Sequence, residues 1–433
     1  MEREAFVEWG RQAAVPVPTL DWQDAGSFSY LDPLLAGKRI VYLGEPDHNI
    51  SERLDYRLLL LRYLIERGFR WVAAERGFSD GLRIDRYLAS GEPAHLDRAG
   101  SLGYHGALRP GRDDDADPHE GRWPAEWIAR HRAEERWFYT QLRELSTTSL
   151  REGDRLHFFG FDADMMPGGG YEDIAELVAP ALGGPTCDEF VKQLAPVEGE
   201  SLEAEVERLA ALPDWLEARA GEFQQRLGDE TYLLLIESVV ALRDTFLLRA
   251  EIVRQFEADA PDPLRWYQVM AERERSMCRR MDWLLDRIGP DGKVVLVGHN
   301  EHLAKEERSL WLGASDQPPI PPALTLGHHL NATYPGSVCS FWLLFDRGRH
   351  FPHPMDKQQQ MEVPSDPKRI EHLLAQIGPA YVLPLQSDDP RSALLDEKWD
   401  YWTGAASHSC IPRRQADAIF FLSEVHEPQP RVT

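Results

Sequence analysis

Residues 39–68 read RIVYLGEPDHNISERLDYRLLLLRYLIERG, and the fold class turns on them. Arg39–Leu43 is a short continuous apolar run, the pattern of a strand buried on both faces. Leu54, Leu58, Leu61 and Ile65 then follow the i, i+4, i+7, i+11 stripe of an amphipathic helix. Asn49 is placed to cap that helix, with Glu52 where a capping-box acid belongs, and Gly68 to stop it. Arg57 lies about 60° off the stripe, at the border of the buried face. Between strand and helix sits Gly44-Glu45-Pro46-Asp47-His48-Asn49, a turn crowded with ionisable groups.

The same kind of apolar run recurs at Trp71–Ala74, Leu156–Phe161, Val294–Val297, Val338–Phe345 and Ala418–Leu422, with helical patterns between. That alternation predicts an α/β fold: a mostly parallel central sheet flanked by helices. Tyr171–Ile288 carries almost no strand signal and reads as a large all-helical insertion, expected to form a cap over the active-site cleft. The division expected is 1–170 for the N-terminal part of the core with the Glu45/His48 turn, 171–288 for the helical insertion, and 289–433 for the C-terminal part with His299 and His302. Arg109–Trp123, with Asp113, Asp114, Asp115 and Asp117, reads as a solvated acidic loop. Proline-rich Ser315–Ala323 reads as a lid segment, and the tail Glu427–Thr433 as frayed.

The 433 residues would suit two or three units of ~150 residues, but the pattern favours one core with an insertion. Against 48 Lys and Arg stand 72 Asp and Glu, a net charge of −24. So large an acidic surplus argues against nucleic acid and against anionic membranes, because both require clustered cations. No apolar run reaches the ~18 residues of a spanning helix, and Met1-Glu2-Arg3-Glu4 lacks the basic-then-apolar order of a secretory signal. Cys187, Cys278, Cys339 and Cys410 lie far apart, so neither a disulfide framework nor a cysteine zinc site is indicated. A cytoplasmic protein is expected. The 13 Trp supply rigid contact area, some for the core and a few for an aromatic pocket.

In an open parallel sheet, sites form beyond the carboxyl ends of the strands. Those ends carry Glu45, Asp47 and His48; Glu75 and Arg76; Asp162 and Asp164; and His299, Glu301 and His302. One histidine after a strand is usually a capping or hydrogen-bonded residue, and one Asp an N-cap. Their convergence is the signal, because buried acids and histidines are costly without partners and are collected where shifted pKa values are used. No H-E-x-x-H, P-loop or G-x-G-x-x-G after a strand is present. Water activated by a carboxylate-oriented histidine fits the residues better than an acyl-enzyme.

Gly44-Glu45-x-x-His48, Arg57 nine residues on, the strand ending in Glu75, Gly160-Phe161-Asp162 and His299-Asn300-x-His302 together resemble the erythromycin esterase family. Arg273-Glu274-x-x-Met277 is similar to that family's R-D-x-x-M motif, with Glu for Asp. The resemblance, over about residues 38–345, implies an α/β core with a deep cleft and metal-independent hydrolysis of a macrolide lactone in the best-known members. It implies His48 as general base, with Glu45 and Glu75 orienting it or the water. Arg57, Arg273 and His299 would face the developing oxyanion, His302 would support them, and Asp162 and Asp47 would be supporting or substrate-binding. The family usually has Thr or Ser before the first histidine, whereas Asp47 and Asn49 flank His48 here. A carboxylate so placed is expected to raise imidazole basicity or add a metal ligand.

The expected function is therefore a hydrolase cleaving an ester or lactone of a bulky natural product, in antibiotic resistance or secondary-metabolite biosynthesis, with no cofactor. Two alternatives use the same residues. Glu45, His48, Glu75, His299 and His302 offer ligands that zinc or manganese accept. A biosynthetic lyase, cyclase or acyl-transfer enzyme would also be served by an acid–base pair. The expected partner is a small-molecule natural product.

Overall fold

The computed structural model describes residues 2–23, 26, 28–97, 99, 125–151, 154–164, 170–181, 183–195, 197, 199–257, 263–313, 324–351, 361–404, 407–429 and 431. The acidic loop Arg109–Trp123, the segment Ser315–Ala323 and part of the tail lie outside them. The chain divides into two compact units. One comprises Met1–Glu75, Arg122–His157 and Asp282–Thr433; the other comprises Arg76–Gly121 and Phe158–Met281. Among the described residues no helix is long and apolar enough to cross a membrane.

The strands in chain order are β1 (Val15–Pro16), β2 (Ile40–Glu45), β3 (Trp71–Gly77), β4 (His157–Asp162), β5 (Val294–His299), β6 (Leu310–Trp311), β7 (Val338–Arg349), β8 (Glu362–Val363), β9 (Ala380–Pro384), β10 (Trp399–Trp402), β11 (Ser407–Cys410) and β12 (Ala418–Val425). In the first unit the main sheet runs β1-β9-β12-β7-β2-β5-β3. β12, β7, β2, β5 and β3 are parallel to their neighbours, while β9 and β1 close one edge antiparallel. All six apolar runs read from the sequence are strands, and β2 is buried along its whole length. Parallel strands covered on both faces have no solvent side, which is why these runs show no alternation. β2 and β5 pair in register down to Glu45 opposite His299, so two strand ends deliver their polar residues side by side.

The helix α1 (Glu52–Glu66) follows β2, with its expected stripe buried. Its N-terminus differs from expectation. The residue before it is Ser51, and no side chain caps it. Asn49 instead faces His131 (Oδ1 to Nε2, 3.2 Å), and Glu52 accepts from the backbone of His426 (2.9 Å). Gly68, at φ +86°, takes the left-handed position that ends the helix. Behind the sheet, Phe6, Trp9, Trp342, Tyr381, Trp399, Tyr401 and Phe421 form an aromatic-rich core, which accounts for several of the tryptophans. β10, β11 and β6 make a separate antiparallel sheet.

Gly44 shows how tightly the end of β2 is packed. A Cβ there would lie 2.2 Å from Asn300 Oδ1 and 3.3 Å from Trp342. Gly44→Ala should therefore displace the buried Asn300 amide and cost about 1–3 kcal/mol, read as a lowered denaturation midpoint.

The expected helices of Tyr171–Ile288 are present, those up to Met281 in the second unit. They pack on their own core of Tyr171, Phe190, Leu212, Phe223, Leu242 and Phe246, among others. Asp80, Arg83, Asp164, Asp173 and Arg280 are all buried in this unit. Arg83 reaches Asp173 at 2.7 Å and Asp80 at 3.5 Å. Burial, and then the charge of Asp80, raise the Asp164 carboxyl from its ordinary 3.8 to about 7. The folded state thus holds a proton that the unfolded chain releases above pH 4. Stability should be undiminished below that pH and fall as pH rises from about 4 to 7. Asp164→Asn should flatten that decline and gain on the order of a few kcal/mol at pH 8, measured by denaturation across pH.

Candidate active site

The site in the first unit is built on the Glu45–Asn49 turn. Glu45, the last residue of β2, is buried, and its Oε1 lies 2.6 Å from His48 Nδ1. Its Oε2 lies 2.8 Å from Arg57 Nη2 and 3.8 Å from Arg53 Nη1. Arg53 and Arg57, four residues apart on α1, share a face and are both buried. Burial opposes the Glu45 charge, but Arg57, Arg53 and the His48 bond outweigh it and hold the carboxyl well below its ordinary value. Arg57, expected to face the substrate carbonyl, is turned to Glu45.

An ionised Glu45 accepts Nδ1–H of His48, leaving Nε2 as the lone-pair nitrogen of the neutral ring. Nε2 lies 3.8 Å from Glu75 Oε1, and the His48 side chain is 33% exposed where Glu45 is 2%. Glu75 ties the neighbouring strand end in: Oε1 is 3.1 Å from His302 Nε2, and Oε2 accepts the backbone N–H of His299 at 2.8 Å. The His299 and His48 rings meet edge-on, centroids 5.2 Å apart. His299 Nε2 is 3.0 Å from the Pro46 carbonyl, so that nitrogen carries the hydrogen. Burial lowers the His299 pKa and favours this neutral ring.

Glu45, His48, Arg57, Glu75, His299 and His302 are thus gathered in one place. Asp47 behaves differently from expectation. Its Oδ2 lies 2.6 Å from His350 Nδ1 and accepts from Trp402 Nε1 at 3.4 Å, while Oδ1 accepts the Asn49 N–H. The carboxylate is spent on these partners, not on His48. Asp162 and Arg273 belong to the second unit, where they form a bidentate pair (Nε–Oδ1 3.0 Å, Nη2–Oδ2 2.5 Å). That pairing is a reason for Asp162 that strand-end reading alone did not supply.

Two partners, His408 and Arg53, went unread in the sequence. Glu301 Oε1 lies 2.5 Å from His408 Nδ1, and Oε2 lies 3.8 Å from His299 Nδ1. Burial works against a charged His408, yet Glu301 raises its pKa; Glu301, despite burial, is lowered by His408 and His299. His408 enters from β11, with no local pattern to mark it. Arg53 carried a signal, its i, i+4 spacing from Arg57, but a charged residue on a helix reads first as solvated. Among the described residues no three His, Cys, Asp or Glu groups are arranged to hold a metal ion. Glu45 and Glu75 already spend their oxygens on the histidines, the His299 amide and Arg57.

The parallel sheet thus gathers a carboxylate-held histidine, two further histidines and a second carboxylate at its strand ends, the place where open α/β sheets form their sites. The family model described as erythromycin esterase matches residues 65–425, and the chain belongs to the erythromycin esterase family. It is 22% identical over 339 residues to the Bacillus subtilis (strain 168) protein YbfO, which is named as a hydrolase, covering 71% of this chain and 66% of that one. It is 23% identical over 308 residues to erythromycin esterase type I of Escherichia coli, covering 65% of this chain and 66% of that one. The matches thus span just under two thirds of the length of these relatives. Among solved structures the fold is shared with a Bacillus cereus protein (TM-score 0.73, 17% identity, 99% of both chains). It is also shared with a succinoglycan biosynthesis protein (0.68, 16%, 99% of both) and with an erythromycin esterase mutant in its open conformation (0.66, 20%, 96% of this chain and 99% of that one).

Proposed function

We propose that the chain hydrolyses an ester or lactone of a bulky natural product with water activated by His48. The observation that carries this reading is the 2.6 Å bond from His48 Nδ1 to a buried Glu45 beside two buried arginines. Such a carboxylate fixes the tautomer, leaves Nε2 to take a proton, and stabilises the imidazolium that results. In the first step Nε2 takes a proton from water, and the oxygen adds to the carbonyl carbon to give a tetrahedral oxyanion. In the second the oxyanion collapses, the C–O bond to the alkoxy group breaks, and the imidazolium returns the proton to the leaving oxygen. Glu75, tied to His302 and the His299 amide, sets the far side of the site and positions the water. His299, neutral and held by Pro46, adds a second imidazole within reach of the reacting groups.

We assign no metal to this reaction. A cation on Glu45 would sit against Arg57 and Arg53, whose charges already compensate that carboxylate, so the donor set suits a proton on His48 better. Activity should survive prolonged dialysis against a chelator.

The deciding experiment is turnover of a panel of macrolide lactones and bulky esters in heavy-oxygen water. One labelled oxygen in the product carboxylate is expected. Product that forms without label would assign elimination, cyclisation or acyl transfer to this site and overturn hydrolysis.

A further inference from the structure

The turn that carries His48 is held from outside itself, on both sides. Asp47, one residue before the base, places Oδ2 2.6 Å from His350 Nδ1, and both side chains are buried. Asn49, one residue after it, accepts the Phe351 N–H at its carbonyl (3.3 Å). Two consecutive residues directly after β7 thus pin the two neighbours of His48. They are themselves tethered, because the His350 N–H is given to the Met361 carbonyl at 3.0 Å. Trp402, whose backbone N–H goes to Glu371 (2.7 Å), brings Nε1 to Asp47 Oδ2 at 3.4 Å and meets the His350 ring edge-on. Asp47 Oδ1 closes the turn across His48 by accepting the Asn49 N–H at 2.8 Å. Of Glu45–Asn49, His48 is the one residue that is not buried.

A buried histidine–carboxylate pair is by itself a weak source of stability, because desolvation offsets much of the attraction. Its place in the turn gives it another use. An imidazole has two side-chain torsions, and the Glu45 bond sets them. The starting point of those torsions, the Cα–Cβ bond of His48, is set by the backbone of residues 47–49. A reacting nitrogen is held in place only when both are fixed.

We propose that His350, acting through Asp47, is a positioning residue for His48: it fixes the backbone from which the imidazole projects, so that the Glu45 bond forms in one geometry and Nε2 keeps its place. The assignment rests on His48 being the base, and its test fails separately from that reading.

The test observes the His48 ring itself, by 15N spectra of the histidine-labelled full chain at about pH 8, where an ordinary imidazole is neutral. The His48 signals are those that vanish in H48N. The parent should show one neutral tautomer, protonated on Nδ1. H350L keeps an apolar side chain but no donor, so the ring should average between tautomers. Turnover of the lactone and ester panel should fall by up to about 10²-fold, with KM within about twofold. H350N returns a donor near the Nδ1 position and should restore the parental ring, with turnover within about threefold. H350L also leaves a buried carboxylate short of a donor and should lower the melting midpoint. D47S/H350L removes both ends of the buried pair while a serine hydroxyl still accepts the Asn49 N–H. It should recover most of the midpoint but leave the ring averaged and turnover low, which a merely structural tie does not produce. A His48 ring that stays parental in H350L and in D47S/H350L overturns the proposal and leaves His48 as the base. So does turnover that returns with the melting midpoint in the double variant. Parental turnover in H48N would instead overturn the base, and this proposal with it.

Discussion

His48→Asn should lower turnover of the ester or lactone by about 10²–10⁴-fold while leaving the melting midpoint near that of the parent. Asparagine is chosen because its amide nitrogen stands close to where Nδ1 was. It preserves a donor for Glu45, so the buried carboxylate keeps its hydrogen bond and the turn its shape. What disappears is Nε2, the nitrogen 3.8 Å from Glu75 Oε1 on the partly exposed side chain. The remaining turnover would come from binding and from the other polar groups, and KM should change little, because the lost interaction acts on the proton in flight. His48→Gln reverses the design: its amide reaches toward the Nε2 position but offers no base. It should be as inactive as Asn. Turnover within about threefold of the parent in both variants would remove His48 from the base position. A loss confined to KM would make it a binding residue instead.

Much of this arrangement was legible in the sequence, for a definite reason. Strands buried on both faces must be continuously apolar, so all six long runs announced themselves, and the polar residues just beyond them marked where a site had to be. Glu45, His48, Glu75, His299 and His302 were found that way. What stayed hidden depends on partners distant in the chain. Asp47 sits next to His48, yet His350, 303 positions away, takes its carboxylate. Asn49 has the composition and place of an N-cap, but His131 holds its side chain. β11 is Ser-His-Ser-Cys, four residues without apolar alternation, so nothing local showed that it would bring His408 to Glu301. Arg53 was passed over, and Arg57, placed at the border of the buried face, is buried with it: both lie beside the buried Glu45, and no single-helix pattern contains that information.

That dependence makes Glu45→Gln the sharpest test of how stability and chemistry share one residue. The substitution keeps size and shape, and its amide oxygen still accepts from His48 Nδ1. It removes the charge that compensates Arg57 at 2.8 Å and Arg53 at 3.8 Å. Two buried guanidinium groups left with less compensation should cost about 3–5 kcal/mol, read by chemical denaturation at pH 7. Activity should fall as well, because a neutral amide does not stabilise imidazolium as a carboxylate does. The pH dependence carries a definite sign. Glu45 has a folded pKa depressed below its ordinary 4.5, so its contribution is complete above that pH and is lost as pH falls through the folded value. The variant should therefore be less stable than the parent at neutral pH, and the gap should narrow in acid. Adding Arg57→Met separates the two roles. Replacing a buried ion pair with apolar groups is often neutral, so the double variant should recover much of the lost stability. It should recover none of the activity, because His48 would still lack its anionic partner. Recovery of both together would mean that Glu45 serves only to neutralise the arginines; recovery of stability alone would identify it as the residue that makes His48 a base.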